Sequence, residues 1–256
     1  MMRKNALAGY SWQEISEMNK KDRVVLIPLG SVENQGAHLP LGVDTYAAEK
    51  IAMDVAQKTG ALVVPALAVG YSAWFMEYPG TMTLQMETLI RIVKEYCESL
   101  MSHGFKKFVF INGHQGNSPA IDIIGREWKL SHDLEIAMVP LWQVANVLAR
   151  RCDLSQEKAF KHGGEIMTSI MMAIAPELVS MDRAKAEYLK SPNPNFKRKT
   201  SAGVVEFEGI EVSVYEKARL CSPTGIMGNP MTASPEIGKW MITEIKAYVV
   251  KMIQAL

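Results

Sequence analysis

The chain has no long apolar run. Within its 256 residues, no stretch approaches the roughly 20 apolar residues that a bilayer-spanning helix needs. The basic start, MMRKNALAGYSWQEIS, lacks the apolar segment of a secretory signal. An excess of one charge is also missing: 28 basic against 27 acidic residues leave a net charge of +1. That balance excludes an electrostatic footprint for nucleic acid or an anionic membrane surface, and it points to a small-molecule substrate or a protein partner. Cysteine is scarce. Cys97, Cys152 and Cys221 are far apart and none belongs to a CxxC, which disfavours a disulfide framework and a thiolate zinc site and suits a reducing cytoplasm. Neither GxxxxGK nor a GxGxxG after a strand occurs, so nucleotide binding is disfavoured. Internal repeats and low-complexity tracts are absent as well.

What is present is a regular alternation. Val24 to Leu29 is an unbroken apolar run, as expected of a strand covered on both faces. After Asp44, residues Ala47, Ala48, Ile51, Ala52 and Val55 recur at helical spacing, and Gly60 is placed to end that helix. The pattern then predicts a strand over 61–67, a helix over 86–102, a strand over 107–111 and a helix over 119–130. A strand over 134–140 and a helix to Cys152 follow. This order predicts an α/β fold: one three-layer domain spanning 1–256, with a mostly parallel sheet and helices on both faces. Further along, 164–175 reads as a Met- and Ile-rich helix, 190–200 as an exposed loop, 204–215 as a hairpin around Gly209, and 235–256 as a closing helix. Met167, Met171 and Met172 read as core packing, and Lys197, Arg198 and Lys199 as a solvated loop.

Two of the strands run into loops of similar chemistry. The first loop carries Glu33, Asn34, Gln35, His38 and Asp44; the second is Asn112-Gly113-His114-Gln115-Gly116-Asn117. Parallel α/β sheets place their ligands beyond the carboxyl ends of strands, so the two loops are expected to share one site. Glu33, His38, Asp44, His114, His162 and Glu165 are the metal-capable residues in glycine-rich loops or at helix starts. A mixed carboxylate and imidazole set suits Zn²⁺, Mn²⁺ or Fe²⁺. Each residue also has a plain structural role open to it: Asp44 as a helix cap, Glu33 as a solvated loop residue, and His38 or His114 as a donor to a backbone carbonyl.

In four motifs the chain resembles the creatininase (creatinine amidohydrolase) family. They are the PLGSxE…GxHLPLGxD loop, YPGTMTL (Tyr78 to Leu84), INGHQGN (Ile111 to Asn117) and HGGEIMTSIMMAIAPELV (His162 to Val179). The resemblance implies a creatininase-like α/β domain, a divalent-metal site at the strand ends and hydrolysis of small amides or cyclic carbonyl compounds. It also implies a homo-oligomer, often a hexamer. It makes Glu33, Asp44 and His114 ligands of one metal ion, His162 the histidine that moves protons during ring opening, and Trp142 an aromatic wall beside the substrate.

The departures bear on metal count. Two-metal members of the family place a histidine where this chain has Gln35. They supply another carboxylate where it has Gly116 or Met167. The expectation is therefore one divalent ion, with Gln35 free to hydrogen-bond the substrate or a water, and Glu165 a reserve ligand or base. His38 either orients a ligand from behind or stabilises its loop. Gln35, Asn34 and Glu77 would suit the hydroxyls of a polar ring. The expected activity is ring-opening hydrolysis of a small cyclic amide or a cyclic ketone such as a keto-inositol. A two-metal creatinine-type amidohydrolase and a non-catalytic, metabolite-binding relative are the alternatives.

Overall fold

Strand β1 (Val24–Leu29) alternates its side chains between two hydrophobic layers, and that alternation organises the molecule. Leu26 faces one layer, and Val25 and Ile27 face the other. The computed structural model describes residues 5–200 and 203–256; the basic residues Arg3 and Lys4 of the N-terminal segment lie outside that range. β2 (Leu62–Val63), β3 (Lys107–Asn112) and β4 (Glu135–Pro140) complete a four-stranded parallel sheet of order β2-β1-β3-β4.

A short helix α1 (Trp12–Glu17) precedes the sheet. Helix α2 (Val43–Thr59) packs on one face together with α5 (Leu141–Ala149), α6 (Glu165–Ile174) and α8 (Pro235–Gln254). The other face carries α3 (Met86–Met101) and α4 (Ser118–Ser131), with Phe108, Phe110 and Trp128 among the fully buried side chains. The three-layer arrangement with helices on both faces is the one expected. A small antiparallel sheet, β5 (Lys197–Arg198), β6 (Val204–Phe207) and β7 (Ile210–Ser213), leads into the four-residue helix α7 (Ala218–Cys221).

Two expectations need correction. The strand over 61–67 shrinks to Leu62–Val63, with Leu67 meeting Leu29 only as an isolated bridge. Pro65 has no N–H to give to a ladder, which breaks the strand after two residues. The 190–200 segment is not wholly loop either: Lys197 and Arg198 pair with Glu206 and Val205, and Lys199 forms an ion pair with Glu206 at 2.5 Å. The methionine expectation holds for Met167 and Met171, which are buried in the core, while Met172 is half-buried. All three cysteines are free and buried, and burial pushes the Cys97 thiol up to about 12, leaving it protonated and inert.

Helices α6 and α8 approach closely because Gly238 has no side chain. A Cβ placed there would lie 1.9 Å from the carbonyl oxygen of Ser169, a backbone atom that cannot swing aside. Gly238→Ala is expected to destabilise the protein by about 3 kcal/mol, in the range of overpacked core sites. A denaturant titration showing a change under about 0.5 kcal/mol would mean that the helices separate freely.

Candidate metal centre

The pairing of β1 with β3 ends at Leu29 opposite Asn112, so both polar loops leave the sheet at one level. Gly113 N–H bonds Leu29 O at 2.8 Å and ties the second loop to the first strand. Asn117 then acts as a clasp: its amide donates to Gly30 O at 3.0 Å while its oxygen accepts from Tyr71 N at 3.0 Å. The Tyr78–Leu84 motif holds the first loop from outside, through Met82 N to Val32 O at 2.8 Å and Asn34 N to Thr81 Oγ1 at 3.2 Å.

These ties bring Glu33, Asp44 and His114 together. One ligand-capable atom from each lies within 4.8 Å of the others, and all three residues are buried. His114 Nδ1 is 3.2 Å from Asp44 Oδ2 and 3.3 Å from Glu33 Oε1. Its Nε2 lies 2.9 Å from Tyr71 O; a carbonyl only accepts, so Nε2 carries the proton and Nδ1 faces the carboxylates. A backbone carbonyl behind one ring nitrogen is the usual way to orient a metal-binding imidazole. Asp44 is not a helix cap: its carboxylate accepts from Ser31 Oγ at 2.7 Å and from Trp142 Nε1 at 2.9 Å.

The electrostatics favour a cation. Burial opposes a charge on His114, yet the neighbouring Glu33 and Asp44 outweigh it and hold the ring well above its ordinary pKa. Burial likewise pushes Glu33 up, but His114 and then His162 pull harder and leave its carboxyl below the usual range. Glu33 Oε2 and Gln35 Oε1 are buried acceptors without any hydrogen-bond partner. Two carboxylates, an oriented imidazole and unmatched acceptor oxygens fit a divalent ion with N and O ligands.

The other expected residues divide. His162 reaches the centre, with Nδ1 4.0 Å from Glu33 Oε1, while its Nε2–H donates to Asn34 O at 2.8 Å. Phe75 stacks on its ring at 4.6 Å between centroids. Gln35 is fully buried, and its Nε2 reaches Glu33 Oε1 at 3.4 Å. Glu165 is elsewhere in function: its carboxylate accepts from Ser155 Oγ, Gln156 N and Glu157 N, tying down the 155–157 turn. Those bonds, together with its place outside the three-residue cluster, correct the expectation of a reserve ligand or base.

Trp142 is buried and stacks on Phe160, and its Nε1–H donates to Asp44 Oδ1 at 2.9 Å, which sets it against the metal cluster. Glu77 is exposed and accepts from the Arg219 backbone at 3.1 Å. Ser31, Tyr71 and Asn117 were missed as supporting residues; only the presence of Asn117 in the glycine-rich loop hinted at its part.

His38 bonds Thr168 Oγ1 at 2.9 Å instead of a ligand, and burial pushes its pKa down to about 4. An unfolded histidine titrates near 6.5, so between about 6.5 and 4 the unfolded chain binds the extra proton. The stability that neutral His38 contributes is complete above about 6.5 and is lost as pH falls through that window. His38→Asn is expected to flatten the Tm–pH curve there by scanning calorimetry. Parallel curves for the two proteins would assign the acid sensitivity to other groups.

The profile of the family described as creatinine amidohydrolase matches residues 8–253. The chain belongs to the creatininase family. It is 31% identical to a creatinine amidohydrolase of Pseudomonas putida, over 94% of this chain and 93% of that protein. A mycofactocin precursor peptide peptidase of Mycolicibacterium smegmatis is 29% identical, over 87% and 81% of the two chains. A 3-dehydro-scyllo-inosose hydrolase of Thermotoga maritima is 27% identical, over 94% and 80%. Among solved structures, a manganese creatininase superposes with a TM-score of 0.81 at 26% identity, covering 98% of each chain. A mutant creatininase of Zn–Zn type gives 0.80 at 26% identity, covering 98% of this chain and 97% of that one. The family is one of hydrolases, and this chain is a metal-dependent enzyme of that class. No described helix is long and apolar enough to cross a membrane.

Proposed function

We propose that this protein hydrolyses a small cyclic amide or cyclic ketone with the help of a single divalent ion, zinc, manganese or iron, held by Glu33, Asp44 and His114. The observation that carries this reading is the buried meeting of these three residues with His162 beside them. When bound there, a divalent ion would polarise a carbonyl and make a water acidic enough to react near neutral pH. The chain's own groups supply the rest. Ser31 and Trp142 hold the Asp44 carboxylate in place from two sides. Gln35 presents an unpartnered amide oxygen to a substrate N–H or a water.

His162 is the proton carrier in this reading. Its Nε2–H is committed to Asn34 O, which leaves Nδ1, facing the centre, to take a proton from the attacking water. The new C–O bond forms, the C–N or C–C bond breaks, and the same nitrogen delivers the proton to the departing atom. The product is an opened chain ending in a carboxylate.

The single-ion stoichiometry is supported at Gly116. A Cβ there would lie 2.2 Å from Tyr71 O and 2.5 Å from His114 Nε2, so this loop path leaves no room for a carboxylate side chain. Met167, at another position where two-metal members carry a ligand, is buried in the core and accepts a contact from Gly163 N at 3.4 Å. The test is metal content by plasma mass spectrometry on protein purified without added metal or chelator, followed by a panel of lactams, formamides and keto-inositols. About one ion per chain, with turnover in one class, is expected. Two ions would restore a dinuclear mechanism; no ion and no turnover would leave a metabolite-binding protein.

A further inference from the structure

A groove of about 620 Å³ borders the metal centre. It touches the centre at two residues: His114, a member of the metal cluster, and Phe75, whose ring stacks on His162. Tyr71, Trp74 and Phe75 line it from the segment before α3, Pro119 from the start of α4, and Tyr215 from the segment between β7 and α7. Trp74 is held there by a bond from its Nε1 to Glu216 O at 2.9 Å and by an edge-on contact with Phe75 at 4.9 Å. This volume matches pockets that take drug-sized ligands, and a lone five-membered ring would leave most of it empty. Among the described lining residues there is no lysine or arginine, and Glu216 is the one carboxylate. A phosphate or carboxylate on the substrate would therefore lose its water without gaining a cation. Four aromatic rings instead suit a flat apolar group.

We propose that the substrate is an uncharged cyclic carbonyl compound bearing a flat apolar substituent, its carbonyl at the metal centre and its substituent in this groove. The proposal rests on the hydrolase reading and narrows it to substrates whose appended group is flat, apolar and uncharged. With a lactam as probe, water adds to the carbonyl, the C–N bond breaks, and the proton from water ends on the released nitrogen.

Three matched lactams test it on the protein as purified: unsubstituted, naphthyl-substituted and phosphonate-substituted. Binding is read by titration calorimetry, before and after chelation of metal, and hydrolysis by amine release. The naphthyl lactam is expected to bind about 30-fold or more tighter than the parent, from the apolar area it buries. The phosphonate is expected to bind no tighter than the parent. Tyr215 is 84% exposed, so Tyr215→Ala should fold, and it is expected to cut the naphthyl advantage about fivefold or more. Equal binding of naphthyl and parent lactams, or an undiminished advantage in Tyr215→Ala, would overturn the proposal. A phosphonate that binds tighter would overturn it too. If the parent lactam is still cleaved in those cases, the hydrolase reading survives. Tight naphthyl binding with no cleavage of any lactam would sustain the groove and sink the hydrolysis.

Discussion

Glu33→Ala is expected to leave the protein without its metal ion and to lower hydrolysis by at least about 1,000-fold, the scale of losing Lewis-acid assistance. Glu33 is only 1% exposed, and its Oε1 lies 3.3 Å from His114 Nδ1. Its removal takes one of the three groups proposed to hold the ion and one of the two carboxylates whose charge a cation would neutralise. A buried ion also stabilises the fold it binds, by about 2.7 kcal/mol when present at 100 times its dissociation constant. For a chain of this length that corresponds to a rise in Tm of about 5–10 °C. The wild type should therefore lose several degrees on treatment with a chelator, while Glu33→Ala should show no such shift. Glu33→Gln, which keeps the shape and removes the charge, should behave like the alanine variant. Full metal occupancy in either variant would displace Glu33 from the centre.

His162→Gln separates proton transfer from metal binding. The amide can still donate to Asn34 O, where the ring now donates at 2.8 Å, but it cannot take and return a proton near neutral pH. A fall in kcat of about 10²–10⁴ is expected, the usual range for removing a general acid–base, with metal content unchanged and a smaller effect on KM. Unchanged kcat would remove His162 from the chemistry. Loss of the ion along with the activity would instead make it a ligand.

The helices and strands were legible where local periodicity is strong. β1, and β3 between Lys107 and Asn112, are apolar runs because both faces of the sheet are covered, and the stripe of α2 ends at Gly60 as its spacing predicts. Legibility failed where the competing signal is a single residue. Pro65 cut β2 short within an otherwise convincing apolar run, and the polar 197–198 segment became a strand because β6 was there to pair with it.

The site divides along the same line. Residue types in glycine-rich loops and at helix starts were enough to name Glu33, His38, Asp44, His114, His162 and Glu165 as metal-capable, since these are properties of short stretches of chain; the resemblance to the creatininase family singled out Glu33, Asp44, His114 and His162 among them. Which groups meet, and through which atoms, was decided only by tertiary structure. Glu33 in a loop and Glu165 at a helix start are both acidic candidates, yet Glu165 is occupied by Ser155, Gln156 and Glu157 while Glu33 keeps a free oxygen. The resemblance placed Trp142 beside a substrate, but only the packed structure shows that its indole N–H donates to Asp44. The cluster joins residues 33, 44 and 114 because the β1–β3 register sets Leu29 opposite Asn112 and Asn117 clasps the two loops. A contact across 70 or more residues depends on that register and on the shape of the packed layers, neither of which any short window of the sequence contains.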